Sequence, residues 1–336
     1  MNKVINQHKQ RNISIDLIKI LAMFAVIGLH TFKASYGWRT ANILYESCVI
    51  AIPLFFMVSG YLLLGRTNID YRYAFRKIGG IVKFIFIIAT VIWLVMSFKL
   101  YEISPILWGK IFVGSFIQRG VLWMCWYLGS MIIIYAILPI LNKFFLEKKK
   151  TFCVFCFFIF FLEYLIFIGN LEIEGEPLEM KIIQTFRLWN WLFYFMLGGV
   201  IKLYNCKLKE ANIKLLLVAI LGLLIINVYF EECLKLEIGS PYCEYFYCSF
   251  IVMLLSFFVF VFFLNTEIKC SKAIKVLSGL FLPIYILHPF FIKGIENIVP
   301  FLSTSPFMLF ISVSILTVII AYFVMRIPVI NSIFKI

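Results

Sequence analysis

A helix needs roughly 20 consecutive apolar residues to cross the ~30 Å hydrocarbon core of a bilayer, and this chain is built almost wholly of runs of about that length. We read about ten of them, at 13–32, 47–64, 78–98, 121–141, 152–168, 188–203, 213–230, 245–264, 273–292 and 306–325. Of the 336 residues, 63% are hydrophobic and 14% charged, with a mean hydropathy of +1.00. That balance excludes a soluble globular protein. With 38 Phe, 17 Tyr and 7 Trp, the chain is also too apolar to remain disordered. The expected fold is all-α, a polytopic integral membrane protein. The first run carries Asp16 and Lys19 and has no small-residue cleavage site, so it reads as a retained span and not as a signal peptide.

The charges sort by loop. A formal net charge of +14 suggests nucleic acid in a soluble domain, but in a membrane protein basic residues are retained on the cytoplasmic side. With the N-terminus inside, the inner segments hold Lys3, Lys9, Arg11, Arg66, Arg72, Arg76, Lys77, Lys143, Lys148, Lys149, Lys150, Lys202, Lys207, Lys209, Lys214, Lys269, Lys272, Lys275, Arg326 and Lys335. The outer segments hold Lys33, Arg39, Lys99, Lys110, Arg119, Lys181, Arg187, Lys235 and Lys293, together with most of the acids: Glu172, Glu174, Glu176, Glu179, Glu231, Glu232, Glu237 and Glu244. Both termini are therefore expected in the cytoplasm. The basic balance becomes a topology signal, with no nucleic-acid partner implied.

One inner loop, Arg66 to Lys77, sets four cations at a cytoplasmic mouth, where a phosphorylated cytosolic cofactor or lipid headgroups fit equally well. The polar stretches are too short for a soluble domain. There is no phosphate-binding glycine loop, dinucleotide fingerprint or internal repeat. The chain reads as one membrane domain over 1–336, with tails at 1–12 and 326–336.

An ionisable group inside a span costs a few kcal/mol and has to pair or line a site. In the first run Lys19 and His30 are eleven residues apart, which at ~100° per residue is three turns plus ~20°, so they share a face ~16 Å apart along the helix. Asp16, three residues before Lys19, is placed to pair with it. The chain has three histidines. His8 lies in the tail; His288, like His30, falls in the outer half of its span, so the two can line one cavity. Glu163 is a carboxylate deep in a later span and reads first as a satisfied polar contact. Trp123, Trp126 and Tyr127 begin the fourth run, where an interfacial aromatic belt explains them. The nine cysteines form no metal-ligand pattern, Cys153-Val-Phe-Cys156 lying in an apolar run without further ligands. Cys233, Cys243 and Cys248 fall on the outer side, where pairing depends on the redox compartment.

Several segments resemble a known family in order along the chain. Asp16-Leu-Ile-Lys19-Ile-Leu-Ala22 followed by His30, then Pro53-Leu-Phe-Phe-Met-Val-Ser59-Gly60, the basic loop, Trp126-Tyr127-Leu, Phe193-Tyr194-Phe-Met-Leu-Gly198-Gly199, and Ser278 with Tyr285-Ile-Leu-His288-Pro289 are similar to the acyltransferase-3 family of membrane O-acyltransferases. The resemblance implies ten spans and transfer of an acyl group, usually acetyl, from cytoplasmic acyl-CoA to a hydroxyl of a cell-surface glycan. It implies a multi-pass protein of the bacterial cell membrane, working beside membrane lipid and separate glycan-assembly proteins, without a metal. It makes His30 the base or acyl relay, with Asp16 and Lys19 at the donor end. Lys19 stands where the family has arginine, keeping the charge without the planar fork. Arg72, Arg76 and Lys77 are the nearest counterparts of the family's cofactor-binding arginines. Ser59, Trp126, Tyr285, His288 and Glu163 complete the candidates.

Two other functions use the same features. A transporter or flippase of a glycan or lipid precursor would use the buried polar groups as a pathway without covalent chemistry. Some family members carry an esterase-like or racemase domain. Here the sequence stops at Phe334-Lys335-Ile336, so such a partner is expected as a separate chain. A receptor without enzymatic activity is the third reading.

Overall fold

The computed structural model describes residues 11–32, 39–101, 103–172, 177–238, 246–269 and 271–334. His8, Cys243, Lys3, Lys9, Lys33, Lys335 and the acids Glu174, Glu176 and Glu244 lie outside the described residues. Within them the regular structure is helical throughout. In chain order the helices are α1 (Ile13–Thr31), α2 (Arg39–Ser47), α3 (Ala51–Leu63), α4 (Tyr71–Leu100), α5 (Pro105–Phe116), α6 (Trp126–Glu147), α7 (Lys149–Glu172), α8 (Leu178–Lys181) and α9 (Leu188–Leu203). They continue as α10 (Asn205–Leu208), α11 (Ile213–Ile238), α12 (Phe250–Leu264), α13 (Lys272–Gly279), α14 (Phe281–Ile298), α15 (Pro300–Ser303), α16 (Pro306–Val324) and α17 (Pro328–Phe334).

Short polar residues start several of these helices by accepting an otherwise orphaned backbone N–H. Asn12 caps α1, Asp70 caps α4, Ser104 caps α5, Ser249 caps α12 and Ser271 caps α13. Among the described residues seven helical segments are long and apolar enough to cross a membrane, one of them the nearly continuous 40–63 stretch that runs through α2 and α3. An eighth is the pair α13 and α14, bent by 63°. The expected straight helix over 273–292 is therefore a broken one, interrupted at Leu280.

The runs at 188–203 and 245–264 form helices of 16 and 15 residues, short of the ~20 that a perpendicular crossing takes. Conversely, α5 is an apolar helix in a stretch read as an outer loop. Its Ser104-Pro105 start is a cap followed by proline at the first helical position, a strong initiation signal.

α1 packs against α3, α12, α13, α14 and α16, and α3 packs most extensively on α9. The closeness of α3 and α9 has a specific cause. A methyl group built on Gly60 would lie 1.7 Å from the Phe195 carbonyl oxygen, and one on Gly198 would lie 1.9 Å from that of Met57. Backbones approach this closely only where neither helix carries a side chain, the usual route to tight helix pairs in membranes. α11, by contrast, buries little of its surface, as expected of a helix facing lipid.

Candidate active site

The site is assembled along α1. Arg11 precedes its cap and Asp16, 4% exposed, lies in its first turn. A cavity of about 680 Å³ opens at this end, lined by Arg11, Asp16, Lys19, Tyr61, Arg66 and Lys202 among others. Among the described residues four cations thus face one carboxylate. That carboxylate is engaged: Asp16 Oδ2 accepts from Arg11 Nε. The expected Asp16–Lys19 pair is replaced by Asp16–Arg11, because the longer guanidinium reaches back over the helix start and also ties it to the break in the α13–α14 pair. Arg11 Nη2 donates to Ser278 Oγ at 2.5 Å and to the Lys275 carbonyl at 3.1 Å. Lys19 is left facing the cavity.

The basic loop divides. Arg66 lines this cavity, its Nε donating to the Leu62 carbonyl at 2.6 Å. Asn142 holds the loop in place, accepting from Gly65 N at 2.7 Å and donating to the Arg66 carbonyl at 2.8 Å. Lys202 reaches over from α9 to the Leu64 carbonyl at 2.5 Å. Arg72, Arg76 and Lys77 do not line it. Helix α4 begins at Tyr71 and projects Arg72 into the open while Arg76 and Lys77 face a separate cleft against α17. Arg11 and Lys202 were legible only as topology charges, and Asn142 fell one residue beyond an apolar run.

At the other end of α1, His30 meets the ring of Trp123 edge-on with centroids 5.1 Å apart and stacks on His288 at 5.3 Å, with planes 18° apart. The expectation that the two histidines share one cavity holds. They line it with Trp123, Trp126, Gln184 and Tyr285, and its volume, about 20 Å³, admits about one water. His288 is fully buried, its Nδ1 3.2 Å from the Ile284 carbonyl. A carbonyl only accepts, so Nδ1 carries the hydrogen. In the neutral ring Nε2 then holds a bare lone pair, buried and without a protein partner among the described residues.

Ser59, Tyr127, Phe55, Tyr285 and Phe281 stand between the two ends. Ser59 Oγ donates to the Phe55 carbonyl at 2.9 Å and lies 3.3 Å from Tyr127 Oη. Tyr127 packs on Phe55 at 5.9 Å and on Tyr285 at 6.0 Å, and Phe55 on Phe281 at 4.5 Å. Tyr285 Oη donates to the Met124 carbonyl. Trp126 and Tyr127 are 5% and 6% exposed. They are therefore walls of the site and not an interfacial belt, because the 3-10 turn Trp123–Cys125 folds the start of α6 inward.

Glu163 is separate from both cavities. It is fully buried in α7, neither carboxylate oxygen has a hydrogen bond among the described residues, and its polar neighbours include Glu179, Tyr194 and Cys248. The satisfied contact expected for it is not formed. Glu179, in the α7–α9 connection, accepts from Asn170 Nδ2 and from Cys248 Sγ, the latter at 3.2 Å. Burial pushes its carboxyl above the usual range despite these donors and nearby Arg187. Cys233 and Cys248 are both free thiols, and no metal-binding cluster occurs among the described residues.

Comparison with known proteins adds two curated relatives. The chain is 25% identical over 307 residues to a serine/alanine racemase of Enterococcus gallinarum, covering 84% of this chain and 41% of the racemase. It is 24% identical over 326 residues to an amino-acid racemase of Enterococcus faecalis, covering 88% of this chain and 44% of that protein. It thus spans less than half the length of these relatives. No solved structure matches it. Residues 12–326 match the acyltransferase domain that defines the acyltransferase-3 family, a range that starts at the cap of α1 and takes in both cavities apart from Arg11, and the chain belongs to that family.

Proposed function

We propose that this protein is a membrane O-acyltransferase that moves an acyl group, acetyl in the simplest case, from acyl-CoA to a hydroxyl of a cell-surface or extracellular glycan in the bacterial cell membrane. The observation that carries this reading is that α1 joins a cation-lined cavity to a histidine-lined one. Lys19 and His30 are eleven residues, or ~16 Å, apart along it.

The first cavity suits the phosphates of the donor. Arg11, Lys19, Arg66 and Lys202 surround it, and its one carboxylate is already neutralised by Arg11. Charge-assisted hydrogen bonds of this kind are the strong ones for phosphate. The donor supplies the thioester; the protein supplies position and a proton acceptor. Imidazole is the side chain whose ordinary pKa suits it to take a hydroxyl proton near neutral pH. His30 is half-buried beside the cavity, with the fully buried His288 behind it. Ser59, Tyr127 and Tyr285 have to part for an acyl-bearing arm to pass between the ends.

The test is transfer of labelled acetyl from acetyl-CoA to surface glycan in membranes, with His30→Ala as the control that abolishes it. An active, folded His30→Ala protein overturns the assignment. A second reading draws on the two relatives named as amino-acid racemases. In it the membrane domain carries a small polar passenger, an amino acid or a glycan or lipid precursor, without covalent chemistry. Uptake of the passenger that does not depend on acyl-CoA would favour it.

A further inference from the structure

Assigning each basic residue to a loop leaves Lys83, with Lys19, inside a span. Lys19 faces the cavity at the start of α1. Lys83 is exposed on α4 and has neither an ion pair nor a hydrogen bond among the described residues. An unpaired ammonium on a membrane helix costs a few kcal/mol unless an anion meets it or the side chain reaches the headgroups.

The position of Lys83 along α4 shows which anion is within reach. With 30 residues, α4 is ~45 Å long at ~1.5 Å per residue, ~15 Å more than the ~30 Å core. Lys83 comes ~18 Å from its Tyr71 end and Arg76 ~7.5 Å from it. These two therefore bracket the headgroup layer and its boundary with the hydrocarbon. Seven residues apart, they share a helix face, and with Lys77 they line a cleft of about 360 Å³ closed by Ser332 and Ile333 of α17. Among the described residues no carboxylate lines the cleft. Beyond the cations the same helix continues apolar, with Phe84 and Ile87; Phe334 packs edge-on against Phe84 at 5.0 Å and fixes α17 there.

We propose that this cleft binds the phosphate of an anionic phospholipid in the leaflet at the Tyr71 end of α4, with the acyl chains continuing past Ile87. A diester phosphate meets the cations while its chains continue into the bilayer, a fit that a wholly soluble anion lacks. The phosphates of CoA present the same chemistry, and Lys77 lies near enough to Arg66 to feel its charge, so the test must separate the two sources. The proposal stands independently of the acyl-transfer reading.

The full-length protein is purified in detergent, offered phosphatidylglycerol or phosphatidylcholine, and the retained lipid is counted by native mass spectrometry. We expect selective retention of phosphatidylglycerol and a loss of about tenfold or more, about 1.4 kcal/mol, in Arg76→Gln/Lys83→Gln, since two charged hydrogen bonds to the phosphate go. Lys83→Leu, which asks nothing new of the membrane, is the second variant should the double one fail to fold. Equal retention of the two lipids overturns the proposal, as does unchanged retention by the variants. Displacement of phosphatidylglycerol by excess CoA would give the cleft to the acyl donor and overturn it equally.

Discussion

His30 and His288, from opposite ends of the chain, stack with ring centroids 5.3 Å apart and planes 18° from parallel. The pair cannot cheaply hold two positive charges. One ring has its tautomer fixed by the Ile284 carbonyl, which leaves Nε2 as the position able to take a proton from the cavity. Two substitutions separate the chemical from the structural contribution of His288. Asn offers an amide N–H where Nδ1 now donates, whereas Gln offers an amide oxygen near Nε2 but no basic nitrogen. If Nε2 works with His30 in accepting the substrate's proton, both variants lose about 100-fold or more in kcat, the scale of one acid–base group. A merely structural ring predicts that His288→Asn keeps wild-type turnover, and steady-state kinetics on folded protein distinguishes the two.

The cation-lined cavity makes a different prediction. Lys19→Met and Arg66→Gln each remove one charge facing the proposed phosphates, and neither touches the histidine cavity. The expected effect is a KM for acetyl-CoA raised about tenfold or more, from loss of a charged hydrogen bond of about 1.5–3 kcal/mol, with kcat changed little. Arg72→Gln, on a side chain directed away from the cavity, should leave KM unchanged. A matching rise in Arg72→Gln would move the donor site to the loop.

That contrast shows what the sequence could and could not disclose. Lys19 and His30 on one face of α1 follow from helical periodicity, and the structure keeps them so. Which cations join Lys19 depends on where helices start. Asp70 caps α4 and turns Arg76 and Lys77 toward α17, while Asn142 holds the Gly65–Arg66 loop over the cavity, both of them tertiary choices. Trp126 read as a belt residue because its position at the start of an apolar run says nothing about the inward turn at Trp123–Cys125. The 63° break at Leu280 is equally hidden: Ser278-Gly279 permits a bend, but the sequence does not show that Arg11 reaches Ser278 beside it.

Gly60 and Gly198 give the fold a sharp test. An alanine methyl at either position would sit under 2 Å from a carbonyl oxygen of the facing helix, so α3 and α9 must separate, taking Ser59 with them. Gly60→Ala and Gly198→Ala should each destabilise by about 1–3 kcal/mol or more, seen as a lowered Tm and reduced folded yield in detergent. Gly79→Ala is the control. Nothing lies within 4 Å of its added methyl, and the higher helix propensity of alanine, up to about 1 kcal/mol, should leave Tm equal or raised.

The last prediction concerns Glu179, whose carboxyl burial holds above its ordinary value of 4.5. A carboxyl raised in the folded state is preferred there in its neutral form. Its stabilising contribution is fully present below the ordinary, unfolded value and is lost as pH rises through the folded one. The wild-type protein should therefore lose stability between acidic and neutral pH on account of this group. Glu179→Gln stays neutral throughout, can still accept from Asn170 through its amide oxygen, and turns its amide N–H toward the Cys248 sulfur. Its Tm should fall less over the same interval, so that the variant gains on wild type as pH rises. Thermal unfolding of the two proteins in one detergent at mildly acidic and neutral pH measures the difference. Parallel curves would show that Glu179 ionises as freely in the fold as in the unfolded chain, and that Arg187, Asn170 and Cys248 together offset its burial.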